Sequence, residues 1–346
     1  MKLYVTTIIR NNQNSGQIYK VDYETGNIEK KKIMEPTLAY LEGRQAYSVR
    51  SDNIEGGPPG LRGISIFDGK VYCANSDSIF CYDEDLNLLK DKTIRNKDID
   101  LCGIHEIAVE NEDSIWVASS VNDRILNINS KGKILVEYDF EGRELLNKLK
   151  KMHILLRYRI NKIMRQADRK PKDRKFYFRM YTLTKHNEKI YVFLRALELL
   201  LQIEPEMKII WFVKNIKNTL QRRIPWLNPM NMECGRNLEF IDNKSIAMVN
   251  TGTKCIEKFD LENLKHDKSM DIFSIGGQYE QSLTKNHFAT PNYFRGLKYL
   301  EEQNSLLIGS SPAKIIELDL ESNRVVREIK LAKSATQLVF GIEALR

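Results

Sequence analysis

Six segments of the chain repeat one pattern, a polar residue followed by alternating apolar residues and then small ones. They are KLYVTT from residue 2, KVYCAN from 70, SIWVAS from 114, KIYVFL from 189, SIAMVN from 245 and SLLIGS from 305. Period-2 alternation with β-branched and aromatic content makes each a strand. A short turn and a second strand follow every time: QIYKVD from 17, SIFCYD from 78, RILNIN from 124, LLLQIE from 199, CIEKFD from 255 and KIIELD from 314. These second strands end on Asp22, Asp83, Asn129, Glu204, Asp260 and Asp319. A hairpin therefore occurs six times.

After each hairpin comes a turn and a third strand: NIEKKKI, LLKDKTI, KILVEYDF, KIIWFV, SMDIFSI and RVVREIKL. Before each hairpin except the first comes another strand, within LRGISIFDG, GIHEIAVENE, FRMYTLTKHN, GRNLEFIDN and FRGLKYLEEQ. The first hairpin begins at residue 2 and has no room for this partner, whereas QLVFGIEALR at the other terminus has the same pattern and no hairpin after it. Residues 337 to 345 are thus expected to supply the inner strand of the first unit. Ring closure of this kind removes exposed sheet edges. A pair of antiparallel sandwiches also contains many short strands, but it needs no four-strand cassette with a displaced terminal strand. The expected fold is an all-β, six-bladed β-propeller spanning residues 1 to 346 as one domain, with an α-helical insertion at 143 to 175.

In these repeats the chain resembles the six-bladed propeller superfamily of NHL-repeat, YVTN and gluconolactonase-like proteins. The resemblance covers essentially all of the chain except the insertions, and its repeat motif is loose, so it implies a fold and no activity. Gluconolactonase-like enzymes bind a divalent metal near the axis through Glu, Asn and Asp. Here the corresponding region is rich in Arg and His, with only Glu106 and Asn237 of suitable type, a departure that argues against a calcium-dependent hydrolase.

The chain has 346 residues, 42% of them hydrophobic, enough for one large β domain. MKLYVTTIIRNNQNSG does not have the pattern of a secretory signal peptide, and no apolar run reaches the roughly 18 residues of a membrane span. A cytoplasmic location is expected. Cys73, Cys81, Cys102, Cys234 and Cys255 show no CxxC spacing and indicate neither a zinc site nor a disulfide framework. They are expected to be reduced thiols in packed strands, with Cys73 and Cys81 as possible cross-strand neighbours. No cofactor or metal is indicated.

Strand direction alternates within a blade, so the interblade connections and the turns between second and third strands open on one face. Those connections are long, at 35 to 60, 142 to 175, 217 to 233 and 276 to 293, which marks this as the working face. Aligning the inner strands on their turns brings Arg62, His105, Met180, Arg236, Arg295 and Phe340 into one column at the mouth of the axial channel. Glu106 and Asn237 come one residue later, and Arg179 lies beside Met180. Several guanidinium groups around one opening favour a carboxylate, phosphate or sulfate. The alternative is that they bond loop carbonyls and local acids such as Glu106, Glu233 and Asp242. His105 and Glu106 are candidates for a base and an orienting carboxylate, although adjacent strand residues point to opposite sides. With axial His and Arg, a lyase or transferase suits the residue types better than a metal hydrolase. His287, just ahead of Arg295, is a further candidate at the mouth. GGPPG at 56 to 60 is a rigid entry to the second blade, because its two prolines lack the amide donors of a phosphate loop.

The segment 143 to 175 differs from the rest. It carries thirteen Lys or Arg against Glu144, Asp168 and Asp173, whereas the whole chain has a net charge of only +8. Leu145, Leu149, Met152, Leu156, Ile160, Ile163 and Ala167 fall on one face of a helix ending before Lys170-Pro171. Such a helix can lie over the working face as a lid. Alternatively its cations, among them Lys148, Lys151, Arg157, Arg159, Lys162 and Arg165, can dock an anionic membrane surface, a nucleic acid or an acidic protein. Two functions are thus expected to compete: binding of an anionic small molecule at the mouth, and a non-catalytic scaffold acting through the basic helix.

Overall fold

The computed structural model describes residues 1–9, 16–34, 61–75, 78–95, 101, 103–120, 123–140, 144, 146–148, 151, 178, 180–195, 197, 199–204, 206–212, 235–251, 254–263, 265–271, 293–334 and 337–345. Blade 1 contains β1 (Lys2–Ile9), β2 (Gly16–Asp22) and β3 (Ile28–Met34). Blade 2 contains β4 (Ile64–Phe67), β5 (Lys70–Ala74), β6 (Ser78–Tyr82) and β7 (Ile94–Arg95). Blade 3 contains β8 (Ile104–Asn111), β9 (Ser114–Ser119), β10 (Arg124–Ile128) and β11 (Ile134–Asp139). Blade 4 contains β12 (Met180–His186), β13 (Lys189–Leu194), β14 (Leu199–Glu204) and β15 (Lys208–Phe212). Blade 5 contains β16 (Gly235–Phe240), β17 (Ser245–Asn250), β18 (Cys255–Asp260) and β19 (Lys265–Asp271). Blade 6 contains β20 (Arg295–Leu300), β21 (Ser305–Ser310), β22 (Lys314–Asp319) and β23 (Val325–Lys330), and β24 (Gln337–Leu345) follows.

Each blade is a four-stranded antiparallel sheet of consecutive strands, except that blade 1 has the order β24-β1-β2-β3. β24 pairs with β1 from Lys2↔Leu345 to Ile9↔Gln337. Successive residues of a strand face opposite sides of its sheet, so each blade presents two apolar faces and needs a neighbour on both. Tyr4 of β1 packs with Val71 and Tyr82 of blade 2, while Leu3 and Val5 pack with Leu307 and Ile315 of blade 6. Similar buried clusters join blades 2 and 3, 3 and 4, 4 and 5, and 5 and 6. The core is thus a ring of interblade layers around an axial channel.

The turns after the second strands explain the recurrent polar residue at their ends. Asp22 accepts from the Thr25 amide at 2.7 Å, Asn129 from the Lys131 and Lys133 amides at 3.0 and 2.9 Å, and Asp319 from the Ser322 amide at 2.6 Å. Asp83 and Asp260 close their turns in the same way. Glu204 instead accepts from the Tyr138 hydroxyl of blade 3.

Two outer strands differ from expectation. Lys90–Lys92 of LLKDKTI forms a 3-10 turn, closed by the Lys92 amide on Leu89 O at 3.1 Å, which leaves β7 only Ile94–Arg95. In blade 5 the outer strand begins at Lys265, ahead of the expected SMDIFSI, because the Asp260 turn returns the chain directly into pairing at Asp260↔Lys265. Cys73 and Cys81 are free and lie on opposite faces of blade 2, one in each adjoining interblade core, with pairings Cys73↔Phe80 and Tyr72↔Cys81. They are not cross-strand neighbours. Cys255 is likewise not in a disulfide, and Cys102 and Cys234 lie outside the described residues.

Glu144, Leu146, Asn147, Lys148 and Lys151 have helical backbone, and Lys148 bonds Glu144 at 2.7 Å one turn away. Leu146 is buried in the core between blades 3 and 4. The rest of 143 to 175, including Arg157, Arg159, Lys162 and Arg165, lies outside the described residues, as do 35 to 60 and 217 to 233. Among the described residues no helix is long and apolar enough to cross a membrane.

Candidate functional site

The innermost strands carry the candidate site residues, and their bulges decide where side chains go. In five blades the inner pairing slips by one residue near the start of the strand, leaving His105, Tyr181, Asn237, Gly296 or Phe340 as the extra residue. A bulge bends its strand and redirects the side chains beside it. Asn237 and Gly296 accordingly have positive φ, +33° and +69°. In blade 2, Gly63 permits close approach to blade 3, since a Cβ there would lie 2.8 Å from the Ile107 amide nitrogen.

Four members of the aligned column converge. Arg62 Nη1 lies 3.1 Å from His105 Nε2 and donates to Ile104 O at 3.5 Å. The His105 and Phe340 ring centroids are 6.1 Å apart, and the Arg295 guanidinium carbon stands 4.2 Å from the Phe340 ring centre. Arg295 also donates to the Tyr293 hydroxyl at 3.5 Å. Arg62, His105 and Arg295 are each no more than 5% exposed, so two cations and an imidazole are held in a desolvated cluster. Phe340 rests on Ile8 and Leu338. Met180 does not join them, being fully buried in the core between blades 3 and 4. The Arg236 backbone pairs with Val249, and its side chain lies outside the described residues together with Arg179, Glu233 and His287. Asp242 accepts from the Lys244 and Ser245 amides of its own turn.

Glu106 and His105 have different partners, His105 meeting Arg62 and Glu106 meeting Asn237. The Glu106 carboxylate faces the channel and accepts from Asn237 Nδ2 at 3.2 Å, while Asn237 Oδ1 accepts from the Gly296 amide at 3.0 Å. Asn237 is therefore a strut linking blades 3, 5 and 6 across the channel, directly beside Arg295.

The inner strands of all six blades line a cavity of about 220 Å³ in the axial channel. Its charged groups are Glu106, Glu239, Glu343, Lys298 and Lys185. Lys298 bonds Glu343 at 2.9 Å, and Lys185 bonds Glu110 at 3.2 Å. Burial raises the Glu106 carboxyl well above the usual carboxylate range, and nearby Glu343 and Glu239 raise it further, against the pull of Arg295. Burial likewise pushes Glu239 up to about 7, with Lys298 opposing and Glu343 adding to the shift. Among the described residues no three His, Cys, Asp or Glu side chains are grouped to hold a metal ion.

Sequence alignment of the mouth missed Glu239, Lys298 and Glu343. Their signal was present as charged residues at inward positions of otherwise apolar strands, three residues beyond Arg236, Arg295 and Phe340.

This ring of six four-stranded sheets around a lined axis decides the architecture. The chain is a six-bladed β-propeller. Solved structures are similar to it at low identity. A protein of unknown function from Bacteroides caccae is 13% identical, with TM-score 0.54 over 98% of each chain. A chain of a nidogen/laminin complex is 12% identical, with TM-score 0.52 over 98% of this chain and 97% of that one. An inactive virginiamycin B lyase from Staphylococcus aureus, solved with quinupristin, is 13% identical, with TM-score 0.46 over 80% of this chain and 72% of that one. No family model and no curated protein matches the propeller's sequence.

Proposed function

We propose that this propeller binds an anionic small molecule, a carboxylate, phosphate or sulfate, at the arginine mouth of its axial channel. One observation carries the reading. Arg295 is 5% exposed, yet among the described residues it has no carboxylate partner, and its Nε has no hydrogen-bond acceptor. Its contacts there are Phe340 and Tyr293. A buried guanidinium with no carboxylate hydrogen-bonded to it is costly, and a planar oxyanion satisfies it through paired hydrogen bonds. Arg62 and His105 stand beside it across Phe340. In an enzymatic form of this reading, a lyase or transferase, His105 is the base and the arginines hold the developing negative charge; its partner is Arg62, since Glu106 turns to Asn237.

Inorganic phosphate, sulfate and butyrate, each titrated to about 10 mM, are expected to include at least one that raises the melting temperature by mass action. Arg295→Ala should weaken that binding roughly 10- to 100-fold, the worth of a charge-assisted hydrogen-bonded contact. Absence of any shift with the intact protein, or an unchanged affinity in Arg295→Ala, overturns the proposal.

A second reading, a scaffold docking a membrane, nucleic acid or acidic protein, rests on the cation density of 143 to 175. Exposed Lys148 and Lys151 lie at its described end. It expects deletion of 143 to 175 to abolish salt-sensitive binding to anionic vesicles or RNA while the affinity for phosphate persists.

A further inference from the structure

The cavity beside the arginine mouth has the opposite chemistry. Three carboxyl groups, Glu106, Glu239 and Glu343, line it from blades 3, 5 and 1. Of its two ammonium groups, Lys298 is bonded to Glu343 and Lys185 to Glu110 and Glu188. Glu239 accepts the Tyr299 amide. Thr182, 2% exposed and also lining the cavity, has a hydroxyl with no partner among the described residues. The carboxyl groups are spread around the axis rather than gathered as for a metal ion. A space of about 220 Å³ suits an organic group better than a bare ion.

We propose that the propeller's ligand is a zwitterion, of the amino acid or aminophosphonate class, with its anionic end at Arg295, Arg62 and His105 and its ammonium in the carboxyl-lined cavity. This rests on the arginine mouth being the anion site. The two compartments adjoin: Gly296, next to Arg295, donates to Asn237, which donates to Glu106 in the cavity wall. An ammonium there donates to Glu239, which already accepts the Tyr299 amide, and to the Thr182 hydroxyl, which has no partner among the described residues.

The cavity's charge state supplies a second signature. Glu239, pushed up to about 7, faces Glu343 and Lys298; Glu106 faces Glu343, Glu239 and Arg295. An ammonium favours their ionised forms, so its binding releases protons. Affinity for the zwitterion therefore rises with pH through about 7, while the ligand's amine, with pKa near 10, stays charged throughout. An anion without the amine neutralises the pull of Arg295 and shows no such rise.

The test uses the intact protein with β-alanine, γ-aminobutyrate and 5-aminovalerate, each against its des-amino acid, by calorimetry at pH 5.5, 6.5 and 7.5. At least one ω-amino acid is expected to bind 10-fold or more tighter than its des-amino partner at pH 7.5. That advantage should shrink at pH 5.5 and fall to within about twofold in Glu239→Gln. Equal affinity of amino and des-amino acids, with binding still lost in Arg295→Ala, overturns the zwitterion and leaves the anion site standing. Lack of binding by both series, phosphate and sulfate included, overturns both. If Glu239→Gln fails to fold, the wild-type pH profile decides alone, and an amino-acid affinity that is flat or falling with pH counts against the proposal.

Discussion

Glu239 is a carboxyl group that its surroundings hold in the acid form. In the unfolded chain it ionises near 4.5, and in the folded propeller at about 7. Between these values the native state binds a proton that the unfolded state has released. Stability therefore falls as pH rises from about 4.5 to about 7, and the penalty is constant above. Glu106 is shifted in the same direction and adds to the trend. Glu239→Gln should melt at the wild-type temperature near pH 4.5 and a few degrees above it at pH 7.5, by differential scanning calorimetry. A difference that does not grow with pH would place the Glu239 carboxyl in ordinary solvent. At this scale the sequence was partly legible. Arg62, His105, Arg295 and Phe340 could be brought together by counting from the turns, because each lies at a similar distance ahead of the turn that ends its inner strand. Glu239, Lys298 and Glu343 could not, because the bulges change the parity by which a position faces channel or core.

At the scale of elements, the polar residue ending each second strand is the most regular feature of the chain. Four of the six are Asp and one is Asn129, all accepting amides of the following turn. A carboxylate and an amide oxygen meet those donors equally well, so the repeat tolerates either. Asn129→Asp should leave urea denaturation nearly unchanged, whereas Asn129→Ala should cost about 1 kcal/mol by losing acceptors for the Lys131 and Lys133 amides. Equal stability of the two variants would mean that the turn is fixed by backbone geometry alone. The hairpins were legible because two strands and a tight turn are local. The outer strands were less so: pairing along one edge only, LLKDKTI yields to a 3-10 turn at Lys90–Lys92 without uncovering a core face.

At the scale of the molecule, every interblade layer depends on the ring being complete. β24 supplies Val339 and Ile342 to the layer between blades 6 and 1, and its Gln337 side chain donates to Thr7, Gln17 and Tyr19 at 3.0, 3.0 and 2.7 Å. On the other side Thr6, at the β24 contact, donates to Arg62 O at 2.8 Å and so connects blade 1 to the mouth. Without β24, β1 would expose its inner edge, and Leu3, Val5 and Phe340's neighbour Ile8 would lose cover. Truncation after Ala332 should therefore abolish cooperative thermal unfolding and favour aggregation through the freed edge. Adding a peptide of residues 333 to 346 should restore a single melting transition by strand addition. The rescued complex should also recover phosphate affinity, since Phe340, on which Arg295 stacks, returns with the peptide. A truncated chain that melts cooperatively at the wild-type temperature would show that five complete blades hold blade 1 without closure.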